Sequence, residues 1–208
     1  QGKRFSLNAN MYYMSYKNQL VLTGALDNVG EYLRENVDNS YRLGLELDVR
    51  VAISDQIALN SNLALSQNKI KALTIDRDGR LQNLGTTNIA LSPNVITTHA
   101  IEYAPNSQFR AALIGKYVGE QYLSNTDTEA SKLEGYFVGD FNLNYELSLK
   151  RIFKSIVFSG MINNIFDLEY VDRGYTYLDT WSGSTVSEVQ GYYPQATRNF
   201  LVGMTLIF

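Results

Sequence analysis

Few residues in this chain could do acid–base, metal or nucleophilic chemistry. There is no cysteine, so thiolate catalysis and disulfides are excluded. The lone His99 sits between Thr97 and Ile101 at alternate positions, with no second His, Cys or Met at ligand spacing. That favours a hydrogen-bonded structural histidine over a metal or heme ligand. His99 is also the only candidate base for a hydrolase, and no G-x-S-x-G nucleophile motif accompanies it. Segment 76–80, DRDGR, lacks the oxygen ligands and distal Glu of a calcium loop. Its Asp78-Gly79 pair suits a turn. No metal, no cofactor and no enzymatic activity are expected. The richest cluster is 172–196, with Arg173, Tyr175, Tyr177, Asp179, Trp181, Glu188, Tyr192 and Tyr193. Rings beside a few charges are what a ligand-capturing surface uses. Tyr175, Tyr192 and Tyr193 equally suit an aromatic girdle at lipid headgroup level.

The elements that must hold these residues have a period of two. From Tyr41 to Ile53, apolar Tyr41, Leu43, Leu45, Leu47, Val49, Val51 and Ile53 alternate with a face carrying Arg42, Glu46, Asp48 and Arg50. From 136 to 149, Phe137, Phe141, Leu143 and Leu147 alternate with Asp140, Asn142, Asn144 and Glu146. Such alternation predicts strands, here near 3–16, 40–53, 57–70, 95–104, 108–120, 135–149, 156–171 and 197–208. No helix is expected. Short connections (54–56, 105–107, 150–155) alternate with long ones (17–39, 71–94, 121–134, 172–196). All tight turns therefore fall at one end of an antiparallel sheet and all long loops at the other.

Strands of this length exceed the five or six residues usual in soluble domains and match a tilted crossing of hydrocarbon. Backbone can cross a bilayer in strands only within a barrel. The fold expected is all-β, an antiparallel transmembrane barrel portion of about eight long strands, in the cell outer membrane. Leu43, Leu45, Leu47, Phe141, Leu143 and Leu147 would face lipid, and Arg42, Glu46, Asp48, Arg50, Asp140, Asn142, Asn144 and Glu146 the lumen. The alternative is a soluble sandwich whose charged face is simply wet. High tyrosine and phenylalanine (15 and 9) against 3 prolines suit long ladders. A net charge of −3 argues against nucleic acid as a partner.

Counting back from the end, Phe208, Leu206, Met204, Val202 and Phe200 form an aromatic-terminated apolar repeat. This resembles the signal that outer-membrane assembly machinery reads on its barrel clients. Asn164, Ile165, Phe166, Asp167 and Tyr170, then Tyr193, Pro194, Arg198 and Phe208, resemble the carboxyl-terminal part of TonB-dependent outer-membrane receptors. Segments 116–125 and 91–103 fit the same resemblance.

Barrels of that family have 22 strands around a plugged lumen. The resemblance implies that residues 1–208 are the last eight strands, with the plug and its TonB contact outside the chain. The opening QGKRFSLNANMYY, without Met or apolar signal region, likewise reads as a cut inside a longer protein. It further implies uptake of a scarce small molecule, of siderophore or heme type by family frequency. Outer-membrane lipid, the barrel assembly machinery and the TonB system would be partners. A free-standing eight-stranded barrel with an anchoring, adhesion or assembly role, and a glycan-importing receptor, are the alternatives. The first strand's free edge is expected to pair with segment 196–208, with another chain, or with strands outside this sequence.

Overall fold

Thirteen strands form among the residues described in the computed structural model, which are 4–26, 29–77, 80–149, 154–179 and 187–208. They are β1 (Phe5–Leu26), β2 (Tyr32–Ala52), β3 (Ile57–Arg77), β4 (Arg80–Asn88), β5 (Val95–Tyr103), β6 (Phe109–Val118), β7 (Gln121–Tyr122), β8 (Lys132–Leu133), β9 (Tyr136–Ser148), β10 (Ser155–Asn163), β11 (Val171–Asp179), β12 (Ser187–Pro194) and β13 (Asn199–Ile207). The main sheet runs β1-β2-β3-β5-β6-β9-β10-β13, antiparallel throughout, with β4 added beyond on β3. The eight-strand frame and the all-β class agree with the alternation in the sequence.

Register sorts the side chains. Residues paired across a ladder share a face. One row crosses all eight strands as Phe5, Val51, Leu59, Ile101, Leu113, Phe141, Ile162 and Phe200. On the other face lies Asn8, Asp48, Asn62, Thr98 and Lys116. Leu43, Leu45 and Leu47 share the apolar face with Phe141, Leu143 and Leu147. Arg42, Glu46, Asp48 and Arg50 share the polar face with Asp140, Asn142, Asn144 and Glu146.

Among the described residues no second sheet covers the apolar face. Phe5 is 57% exposed, Met11 80% and Val202 89%. A soluble sandwich would bury those side chains, so this face needs an apolar surrounding. Thirteen residues from Tyr41 to Ile53 cover ~40 Å of strand. A tilt of ~40° turns that into ~30 Å, the thickness of hydrocarbon.

Three features depart from the sequence expectations. First, 17–39 and 71–88 are largely strand. β1 and β2 pair as far as Leu26 and Tyr32, and β3 and β4 pair at Arg77 and Arg80 around Asp78-Gly79, which lies outside the described residues. Asn18 and Ala72 have positive φ, 53° and 56°, and break the alternation where the ladders extend past the apolar band. Beyond that break, Val21, Val37, Ile70, Leu73, Ile75 and Ile89 bury one another in a small core. The hairpins therefore stand as packed structure. Second, the strand expected at 156–171 stops at Asn163, and 172–196 holds a second hairpin, β11 with β12. Third, β1 does not pair with β13, and the sheet stays open.

Candidate functional site

The β11–β12 hairpin carries the residues singled out in the sequence. Arg173, Tyr175 and Tyr177 alternate along β11, so they project from one side of it. Tyr193, paired with Arg173 across the ladder, shares that side. The Tyr175 and Tyr177 rings lie 6.4 Å apart and nearly parallel, at 8°. Tyr193 is tilted against Tyr175 at 5.9 Å. A Cβ on Gly191, opposite Tyr175, would stand 2.1 Å from that ring, so only glycine lets the ring lie flat across the ladder. Arg173 Nε donates to Asp172 Oδ1 at 3.3 Å and remains largely exposed. Asp179 closes β11 with its side chain outside the described residues, as is Trp181. Tyr32, at the start of β2, joins the group. Burial first, then the neighbouring phenols of Tyr193, Tyr175 and Tyr177, push its hydroxyl above the ordinary value. Tyr175, Tyr177 and Tyr193 form an aromatic platform, with Tyr32 within electrostatic reach and Arg173 on the same side of the hairpin.

The opposite side of the hairpin is fastened. Glu188 accepts from Thr128 Oγ1 at 2.6 Å and from Thr176 Oγ1 at 3.2 Å. Leu178 lies against Gly24 of β1. Segment 121–133 is the anchor beneath, with Leu123 and Ser131 buried. Its Asn125 accepts from the Ala90 N–H and donates to the Leu22 carbonyl. Its Asp127 carboxylate takes both the backbone N–H and the side-chain amide of Asn88. The hairpin thus runs across the long-connection end of the sheet, from its last strands to its first.

The Asn164–Asp167 stretch is a joint. Asn164, in the left-handed region at φ 52°, accepts from the Leu168 N–H and donates to the carbonyls of Leu168 and Ala196. Its own N–H donates to Asp140 Oδ1 at 2.8 Å. Asp167 accepts the Arg198 N–H at 2.9 Å and lies 3.3 Å from the Arg198 guanidinium. Phe166 lies over Gly139, where an added Cβ would stand 2.6 Å from the ring. These residues tie β9 and β10 to the start of β13.

His99 faces the apolar side, opposite Ser61. Thr97 Oγ1 spends its proton on the Asn62 carbonyl at 2.6 Å, so it accepts from His99 Nε2 at 3.0 Å. Nδ1 lies in hydrogen-bond contact with the Ser61 hydroxyl at 2.9 Å. Both imidazole nitrogens have hydrogen-bond partners, as a histidine in an apolar surrounding requires. Its second partner is a hydroxyl, where a hydrolase would place a carboxylate or Asn. Thr97→Val should lower the thermal unfolding temperature of the barrel by an amount corresponding to about 1 kcal/mol, read by heat-modifiability.

On the polar face, Arg50 donates to Asn60 Oδ1 at 2.7 Å and stands 3.9 Å from Glu102. Asn10 donates to Glu46 at 3.1 Å, and Arg42 to Asn68 at 2.9 Å. Asn142 Oδ1 is buried with no partner among the described residues. No group of three metal-ligating side chains occurs among those residues.

A family model described as TonB dependent receptor-like, beta-barrel matches residues 1–165. The chain belongs to this family. It is a family of receptors, not of enzymes. Solved receptor barrels share the fold of this one. The copper transporter OprC is 16% identical with a TM-score of 0.69, covering 100% of this chain and 30% of its own. The ferric citrate transporter FecA, unliganded, is 16% identical at 0.68, covering 97% and 28%. The siderophore receptor PiuA from Acinetobacter baumannii is 16% identical at 0.66, covering 97% and 26%. The receptor chain thus spans between a quarter and a third of the length of each of these solved relatives.

Two parts of the site escaped sequence reasoning. Tyr32 lies in a stretch whose sequence reads as loop, and the Glu188–Thr128 fastening joins segments far apart in the chain.

Proposed function

We propose that the chain is the carboxyl-terminal eight-stranded part of a TonB-dependent receptor barrel that imports a scarce iron chelate, siderophore or heme, across the outer membrane. The apolar face meets lipid. The polar face, with Arg42, Glu46, Asp48, Arg50, Asp140, Asn142, Asn144 and Glu146, lines the lumen and receives a plug that carries the TonB contact. Phe200, Val202, Met204 and Leu206 share one face of the edge strand β13, and together with Phe208 just beyond it they serve as the signal for the assembly machinery. The carrying observation is the aromatic platform of Tyr175, Tyr177 and Tyr193, with Tyr32 within electrostatic reach, held across the long-connection end of the sheet. Its rings offer area at low conformational cost, and Arg173 offers charge to an anionic chelate. The siderophore and ferric-citrate names among similar folds support the ligand class. The open sheet supports a part of a larger barrel over a free-standing one, which would close β1 on β13.

The test is uptake of radioiron by cells expressing the intact receptor, offered as a tris-catecholate, a hydroxamate, citrate or heme. One of these should enter in a TonB-dependent way. The Tyr175→Ala/Tyr177→Ala variant should lower its binding at least tenfold, as loss of aromatic anchors does at binding surfaces. Uptake of a glycan, and of none of the four iron forms, would contradict the ligand class.

A further inference from the structure

The apolar face ends, at the hairpin side, in a row of rings followed by lysines. Tyr13 and Tyr41 stand on that face with centroids 6.1 Å apart. Lys69 is the ladder partner of Tyr41 on β3. One step further out, Lys17, Asn39 and Lys71 form the next row across β1, β2 and β3. Lys71 Nζ sits 5.5 Å from the centre of the Tyr41 ring, which fixes it on the apolar side. Ladder spacing puts Lys17 and Lys71 ~10 Å apart at the backbone, and Lys69 ~7 Å from Lys71. Lys17 and Lys71 are exposed and Lys69 half-buried. None of the three belongs to an ion pair among the described residues.

Three cations facing outward, directly above an aromatic pair that closes an apolar band, is a charge pattern with one complement in a membrane. Tyrosines mark the headgroup level. Lysine stems lie along apolar surface and carry their ammonium groups to it. Anions at that level are lipid phosphates. We propose that Lys17, Lys69 and Lys71 with Tyr13 and Tyr41 form a binding surface for the phosphate-bearing headgroup of an outer-leaflet lipid. The surface rests on the outer-membrane placement above and is independent of which ligand the receptor imports. It lies on the outside of the barrel, away from the platform.

The probe is the bis-phosphorylated glucosamine lipid of outer leaflets, lipid A, added to the intact receptor in neutral detergent and followed by native mass spectrometry. A fully dephosphorylated form with the same acyl chains and free inorganic phosphate are run in parallel. Wild-type receptor should retain the phosphorylated lipid, release it between about 0.1 and about 0.5 M salt as screening sets in, and lose it little to free phosphate. Each lysine at a charged surface contributes roughly a fivefold change in affinity, so Lys17→Gln/Lys69→Gln/Lys71→Gln should weaken retention on the order of a hundredfold. Heat-modifiability confirms that the variant is folded. Equal retention of the dephosphorylated lipid, insensitivity to salt, or wild-type retention by the folded variant would each overturn the proposal. The salt series on wild-type protein decides the matter even if the variant misassembles. A folded, uptake-competent receptor that ignores phosphate would refute this surface and leave the receptor reading intact.

Discussion

Leu45→Arg should abolish or severely reduce insertion of the intact receptor, whereas Glu46→Gln, its neighbour in the chain, should leave the folded barrel at wild-type level. The two positions lie on opposite faces. Leu45 pairs with Met11 and Leu65 on the apolar side, and Glu46 with Asn10 and Ala64 on the polar side. Counted from Tyr41 and from Ile53, Leu45 falls well inside the apolar span. An Arg at the midplane of a barrel's lipid face costs roughly 2–4 kcal/mol, a large part of the net stability of a typical domain. Glu46→Gln removes a charge but keeps an acceptor for Asn10, at 3.1 Å in the native pair. The readout is the heat-modifiable band in isolated outer membranes. Two variants with equal folded bands would return the soluble sandwich to consideration.

Asn164→Ala is the second large effect, from a residue with no part in ligand contact. Its side chain makes one bond as acceptor and two as donor, to Leu168 and Ala196. Its backbone lies at φ 52°, which costs Ala more than Asn. Losing the side-chain amide empties the place of a buried Asn164 and removes its bonds to the Leu168 N–H and to two carbonyls. At about 1 kcal/mol or more for each lost or orphaned bond, plus about 1 kcal/mol of strain, the variant should lose roughly 3–4 kcal/mol. Denaturant unfolding in detergent checks it. A companion variant, Gly139→Val, should behave alike, because its side chain would displace Phe166. Normal stability of both would mean that the joint is ornamental, and that Asn164 has some other task.

Much of the frame is legible in the sequence because alternation needs no long-range information. Tyr41–Ile53 announces two faces by residue type alone, and the ladders then sort every other strand by pairing. What escaped did so for physical reasons. Asn18 and Ala72 adopt left-handed backbone that shifts the period, so β1 and β3 look finished before they are. The β11–β12 hairpin mixes Gly, Tyr and charged residues on both sides, because one side packs on a polar segment and the other meets water. Its fastening depends on Glu188 finding Thr128, which no local pattern encodes. The Asn164–Asp167 stretch was visible as a resemblance, but its role depends on Gly139 and Ala196, brought to it only by the fold. His99 looked structural from the lack of ligand partners. Its actual partner, Ser61, is set by the register between β3 and β5.

The central claim is that one face of this sheet meets lipid and the other water. Because the chain has no cysteine, single cysteines placed in turn from Tyr41 to Ile53 of the intact receptor give labels free of background from this segment. In outer membranes, a charged water-soluble maleimide should modify positions 42, 46, 48 and 50, and a lipid-soluble one positions 43, 45, 47, 49 and 51; position 44, where the Tyr12 ring leaves no room for a side chain, is left as glycine. Labelling that shows no period of two, or that reacts with the charged reagent at the odd positions, would contradict the account.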